Sequence, residues 1–167
     1  MMQRLATVAL GLSLLAASLA HAQDRPIGFQ TPSKNIACQF FTDSGQRSDQ
    51  GVLRCDIMNL ETRPRRPADC ELEWGNAFEM TAKGAASRIC AGDTIMDPSL
   101  PVLAYGEVWQ RAGFTCRSEQ TGLTCFNAMQ RGFSLARVKQ EIAANAASAS
   151  NAVRLAMVRP VPLACSP

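Results

Sequence analysis

The sequence predicts a mainly β fold: a small, disulfide-stapled sandwich or barrel with a C-terminal helix. Three observations carry this. Short runs alternating apolar and polar residues recur along the chain, six cysteines fall in or beside those runs, and clusters of Gly, Pro, Asp, Ser and Thr separate them.

Residues 1–22 read as a secretory signal. Arg4 supplies the positive end and Leu5–Leu19 an apolar run short of a bilayer span. Ala20-His21-Ala22 then matches the small-x-small cleavage pattern. Cleavage after Ala22 leaves 145 of the 167 residues, a chain suited to one domain with a modest core. Losing Arg4 from 17 basic residues leaves 16 against 14 acidic ones, a net charge of +2. So small an excess predicts no nucleic-acid partner and no steering onto an acidic membrane. No later apolar run is long enough to span a bilayer. The expected location is secreted or periplasmic. His21, the only histidine, leaves with the signal. Without imidazole, Ser-His-Asp and Cys-His nucleophiles and histidine-containing zinc sites are all excluded. No cofactor, metal ligand or catalytic residue is assigned.

The domain proper is expected over 26–142. Its strands are predicted at 35–41, 51–58, 69–74, 77–81, 86–90, 102–109, 112–118, 122–127 and 131–135. In the first, Ile36, Cys38 and Phe40 share one face. In the second, Leu53, Cys55 and Ile57 do, with Arg54 and Asp56 pointing away. In the third, Cys70, Leu72 and Trp74 oppose Asp69, Glu71 and Glu73, and "WGNAF" then reads as a tight turn. Breaks fall at "FTDSGQRSDQG" (41–51), "TRPRRPAD" (62–69) and "AGDT" (91–94), where Asp93 reads as a turn residue. Trp74, Tyr105 and Trp109 lie in apolar alternations and are expected in the core. No internal repeat is evident. From Ser134 a helix is expected, with Ser134 as its cap and Leu135, Val138 and Ile142 on one face. Residues 148–167 read as a flexible Ala/Ser/Pro-rich tail in which Pro160 and Pro162 bar a helix.

Seven cysteines are present, and none forms a C-x-x-C redox pair or zinc knuckle. In an oxidising compartment, disulfides are the default. A hairpin turn at Gln120-Thr121 places Cys116 opposite Cys125, within bonding reach. For the other four, neighbouring pairs are preferred, Cys38–Cys55 and Cys70–Cys90, among the connectivities that six cysteines allow. Cys165 is left over, either a free thiol or a disulfide joining two chains.

The succession "FQTPSKNIACQF", "VLRCDI", "DCELEWG", "GAASRICAGDT", "LAYG", "FTCRSEQTGLTCFN" and "GFSLAR" resembles a family of small secreted bacterial proteins of unknown function. The resemblance covers about Phe29–Arg137 and implies export and a compact cysteine-stapled domain, with no catalytic residues to transfer. Proteins of that kind carry P-S-G-N-I-x-C where this chain has Lys34 in the glycine position.

The candidate chemistry is sparse. Asp69, Glu71 and Glu73 form an acidic stripe that a histidine-free hydrolase or a calcium site could use, but such alternation is commonly a solvated sheet face. Ser33 and Lys34 point to opposite sides of an extended chain and make a poor nucleophile pair. Arg63, Arg65 and Arg66, interleaved with Pro64 and bounded by Pro67, are the most concentrated charge and the best candidate contact for an anion or an acidic partner. No aromatic residues interleave with them, as single-stranded nucleic acid would require. The reading favoured is an exported non-catalytic module, binding or structural, with an unidentified envelope or extracellular partner. The alternatives are a carboxylate hydrolase, with Glu71 or Glu73 as acid, and a thiol-redox protein.

Overall fold

The computed structural model describes residues 26–42 and 51–144. The expected signal, the tail and Cys165 lie outside the described residues. Strands β1 (Gly28–Gln30), β2 (Ile36–Phe41), β3 (Val52–Ile57), β4 (Glu73–Thr81) and β5 (Ala86–Ala91) pair in chain order as one antiparallel sheet. Strands β6 (Val108–Arg111), β7 (Phe114–Glu119), β8 (Gly122–Phe126), β9 (Gly132–Leu135) and β10 (Gln140–Ala143) form a second, again in chain order. The fold is mainly β, and among the described residues there is no helix.

One lateral row of each sheet forms the centre of the core. Phe29, Cys38, Cys55 and Phe78 are successive register partners across β1 to β4. Trp109, Cys116, Cys125 and Phe133 hold the same places across β6 to β9. Strand alternation sends all eight side chains to the inner faces, where the rows meet. Phe29 packs on Trp109 at 5.3 Å and Phe78 on Phe133 at 5.8 Å between ring centroids. The sulfurs of Cys38, Cys55 and Cys125 lie within 4.8 Å of one another. Cys38–Cys55 and Cys116–Cys125 are both disulfides, so two buried staples touch between the sheets. The third, Cys70–Cys90, lies apart from this cluster. Three disulfides are consistent with an extracellular or periplasmic location.

The chain therefore contains an internal repeat that the sequence reading missed. Ile36-x-Cys38 and Leu53-x-Cys55 in the first half answer Phe114-x-Cys116 and Leu123-x-Cys125 in the second. Phe40, two residues after Cys38, meets Phe114, two residues before Cys116, at 5.9 Å. Facing strands thus run in opposite senses, and an approximate twofold axis along the two rows relates the halves. Unequal loops hide the repeat: β2 and β3 are joined through residues 42–51, β7 and β8 through 120–121 alone.

Several expected elements are corrected. Residues 69–72 are not a strand, because the pairing of β4 begins only at Glu73. "WGNAF" is not a turn, since β4 runs through it with a bulge between Trp74 and Ala77. Of 102–109, Val102 makes one isolated bridge to Gln30 and only 108–109 belong to a strand, while Tyr105 is exposed rather than core. The helix expected from Ser134 is the β9–β10 hairpin. Ser134 pairs with Thr124, Leu135 is buried at the end of β9, Val138 is exposed in the turn, and Ile142 opposes Phe133. Three apolar residues make too weak a helical stripe to compete with pairing on the edge of an existing sheet. The turn before β2 is left-handed at Lys34 (φ 56°), the conformation the glycine of the related pattern would favour.

Phe133 is fully buried against Phe78. Phe133→Ala is expected to cost about 3–5 kcal/mol in guanidinium unfolding, whereas Val138→Ala, at the exposed turn, should stay within about 0.5 kcal/mol.

Candidate functional site

The arginine segment is held where the β3–β4 connection folds back on β4. Gly75 sits in the bulge with φ 103°, and a Cβ there would come within 2.8 Å of Pro64 Cδ. Pro64 thus rests on a position that only glycine leaves open. Arg63 Nη1 donates to Glu73 Oε2 at 3.3 Å and to Asn76 Oδ1 at 3.0 Å. The Cys70 amide donates to the Pro67 carbonyl at 3.3 Å, and the Cys70–Cys90 bond ties the segment to β5.

Of the three predicted arginines, Arg63 is engaged and two are not. Arg65, Arg66, Pro67, Ala68 and Cys70 line an open groove of about 540 Å³. Arg66 Nη1 donates to the Leu72 carbonyl at 3.5 Å. Among the described residues neither Arg65 nor Arg66 has a carboxylate within ion-pair distance. The acidic stripe is not a sheet face: Asp69 and Glu71 are exposed in the connection, Leu72 is exposed beside them, and only Glu73 belongs to β4.

A second polar site, unforeseen in the sequence, lies on the outer face of the first sheet. The connection between β5 and β6 crosses that face and buries what would otherwise be solvated. Arg54 grips Asp56 with two bonds, Nε to Oδ1 at 2.9 Å and Nη2 to Oδ2 at 3.1 Å. It also donates to Asp93 Oδ1 at 3.0 Å and to the Asp93 carbonyl at 2.8 Å, while the Ile95 amide donates to Asp56 Oδ2 at 3.0 Å. Burial works against the charge on Arg54, but the bonds and charge of Asp56, helped by Asp93, outweigh it and hold the guanidinium above its ordinary range. Asp93 is therefore an anchor as well as a turn residue. Beside it, Asp56, Glu73, Asn76 and Asp93 help line a cleft of about 150 Å³. Glu71 does not reach this cleft, so the two proposed acids are not brought together.

Arg88 is a second group that the sequence reading missed. Its guanidinium carbon lies 5.0 Å from the Phe78 ring and 5.9 Å from the Trp74 ring, and burial pushes it below its ordinary range. A signal existed: alternation in β5 places Arg88 on the face of Ala86 and Cys90. Trp74 and Trp109 are half-buried, Trp109 against Phe29 and Trp74 beneath Arg88. Ser33 serves the turn: its hydroxyl accepts from the Asn35 amide and lies 3.2 Å from Thr31 Oγ1, with Lys34 exposed beside it.

A family model matches residues 8–143. The chain belongs to this family, DUF6636, a family of unknown function. The match covers both sheets, and so the repeat, the arginine groove and the buried ion pair all lie inside the family region. No curated protein and no solved structure matches the chain. Among the described residues no helix is long and apolar enough to cross a membrane.

Arg54→Ala would leave Asp56, with a side chain only 5% exposed, without its cation. A loss of about 3–5 kcal/mol is expected in chemical unfolding, and Arg54→Met with Asp56→Leu should recover only part of it, because the Ile95 amide then loses its acceptor. Asp93→Asn, at a side chain 79% exposed, should cost less than about 1 kcal/mol.

Proposed function

We propose that this protein is an exported, non-catalytic module that holds an anionic partner at the cell envelope through the groove of Arg65 and Arg66. The observation supporting this is that both side chains line open space with no carboxylate beside them among the described residues. Guanidinium groups present a planar fork suited to carboxylates and phosphates. Pro64, seated on Gly75, and the Cys70–Cys90 bond hold the segment at both ends, which limits the ordering cost of binding. Arg63 supports the groove more than the partner, because its Nη1 is already committed to Glu73 and Asn76.

Retention on immobilised polyglutamate and on bacterial envelope fractions tests this. The wild-type protein should be retained at low salt and released as salt rises, as exposed charge pairs are. Arg65→Ala/Arg66→Ala should abolish retention, and Arg63→Ala should reduce it less. Equal retention of the double variant and the wild type would reject the groove as the contact.

A further inference from the structure

The three disulfides differ in access. Cys38, Cys55, Cys116 and Cys125 are all fully buried, with 0% exposure, inside the double row of aromatic side chains. Cys90 is exposed, and its partner Cys70 lines the arginine groove at 5% exposure. Of the three bonds, this one alone has an exposed member, and it stands beside two cations that have no carboxylate within ion-pair distance among the described residues.

We infer that Cys70–Cys90 is a thiol-exchange site for small anionic thiols, those bearing carboxylates, with Arg65 and Arg66 drawing them in. The inference rests on the anion-binding reading of the groove for its selectivity, but the exchange itself needs only the exposed bond. An incoming thiolate attacks Cys90 Sγ. The S–S bond breaks, its electron pair leaves on Cys70 Sγ, and a mixed disulfide remains on Cys90. Arg65 and Arg66 border the leaving thiolate, and nearby cations make a thiolate a better leaving group. A second thiolate attacks the ligand's sulfur in the mixed disulfide and releases Cys90 as thiolate. Two thiols become one small disulfide, and the protein disulfide becomes a dithiol. The buried pairs take no part, since exchange requires in-line access to a sulfur.

The folded protein is incubated with glutathione, with neutral 2-mercaptoethanol and with cationic cysteamine. Rates are normalised to those of the same thiols on a small neutral disulfide, and products are trapped by alkylation and mapped by mass spectrometry. Among the six cysteines of the sandwich, label and adduct are expected on Cys70 and Cys90 alone. Glutathione should react about tenfold faster than cysteamine at low salt, a modest instance of electrostatic steering. Arg65→Ala/Arg66→Ala should bring that ratio near one without closing the site. Modification of the four core cysteines first, or none at Cys90, overturns the exchange site. Exchange at Cys90 with the same charge preference in the double variant overturns the role of the arginines. Because retention on polyglutamate is read separately, the binding reading can fail while exchange at Cys90 stands.

Discussion

Two disulfides in contact between the sheets are the constraint on which the rest of the fold depends. Cystine is compact and apolar, so the sheets pack closely at their centre while Phe29, Trp109, Phe78 and Phe133 fill the flanks. Each bond joins register partners, Cys38 with Cys55 and Cys116 with Cys125, and so forbids the one-residue slip that would turn every inward side chain to solvent. Every strand from β1 to β4 and from β6 to β9 places a member in this double row. A bond in each half contributes about 2–4 kcal/mol by restricting the unfolded chain, a large share of the stability of a domain of this size.

The twofold relation sets the path of the chain. With β6 facing β1 rather than β5, the segment after β5 must travel from one edge of the first sheet to the other. Residues 92–107 do this across its outer face. Gln39 Nε2 donates to the Ile95 carbonyl at 2.7 Å, and Gln30 Nε2 to the Leu100 carbonyl at 2.6 Å. That crossing explains why Ala37 and Asp56, on the side of their strands away from the core, are nevertheless buried. It also explains why Arg54 carries a bidentate partner: beneath a covering segment, an unpaired carboxylate would be costly. The ion pair follows from the topology, and its companion Asp93 lies in the segment that makes it necessary.

These consequences separate what the residues disclose from what they conceal. Alternation around Cys38, Cys55, Cys116 and Cys125 is a local signal, and so are the turn at Gln120-Thr121 and the pairing across it. Arg54 and Asp56 were legible as facing away from the core, but not as buried, because the cover comes from residues some forty positions later. The β9–β10 hairpin was concealed for a related reason. Leu135, Val138 and Ile142 fit a helical face by spacing, and only the free edge of β8 and β9 decides otherwise. The arginine segment was legible as charge, whereas the division of labour within it was not. Arg63 is taken by Glu73 and Asn76 because the bulge at Gly75 brings Pro64 down onto β4, and no local pattern announces such a bulge.

Comparing the halves locates what the framework does not require. The first half carries a long β3–β4 connection with three arginines and a third disulfide; the second joins β8 to β9 through residues 127–131 alone. There Asn127 works entirely for structure. Its amide donates to the Thr81 and Gly84 carbonyls at 2.9 and 2.7 Å, and its carbonyl oxygen accepts from the Met129 and Arg131 amides. A repeat built on paired rows needs nothing longer than that turn to close. The additional length, cations and exposed cystine of the first half are therefore more than closing the sandwich requires. Cys70–Cys90 holds the groove in place rather than the core, so its loss should alter the groove before it alters the sandwich.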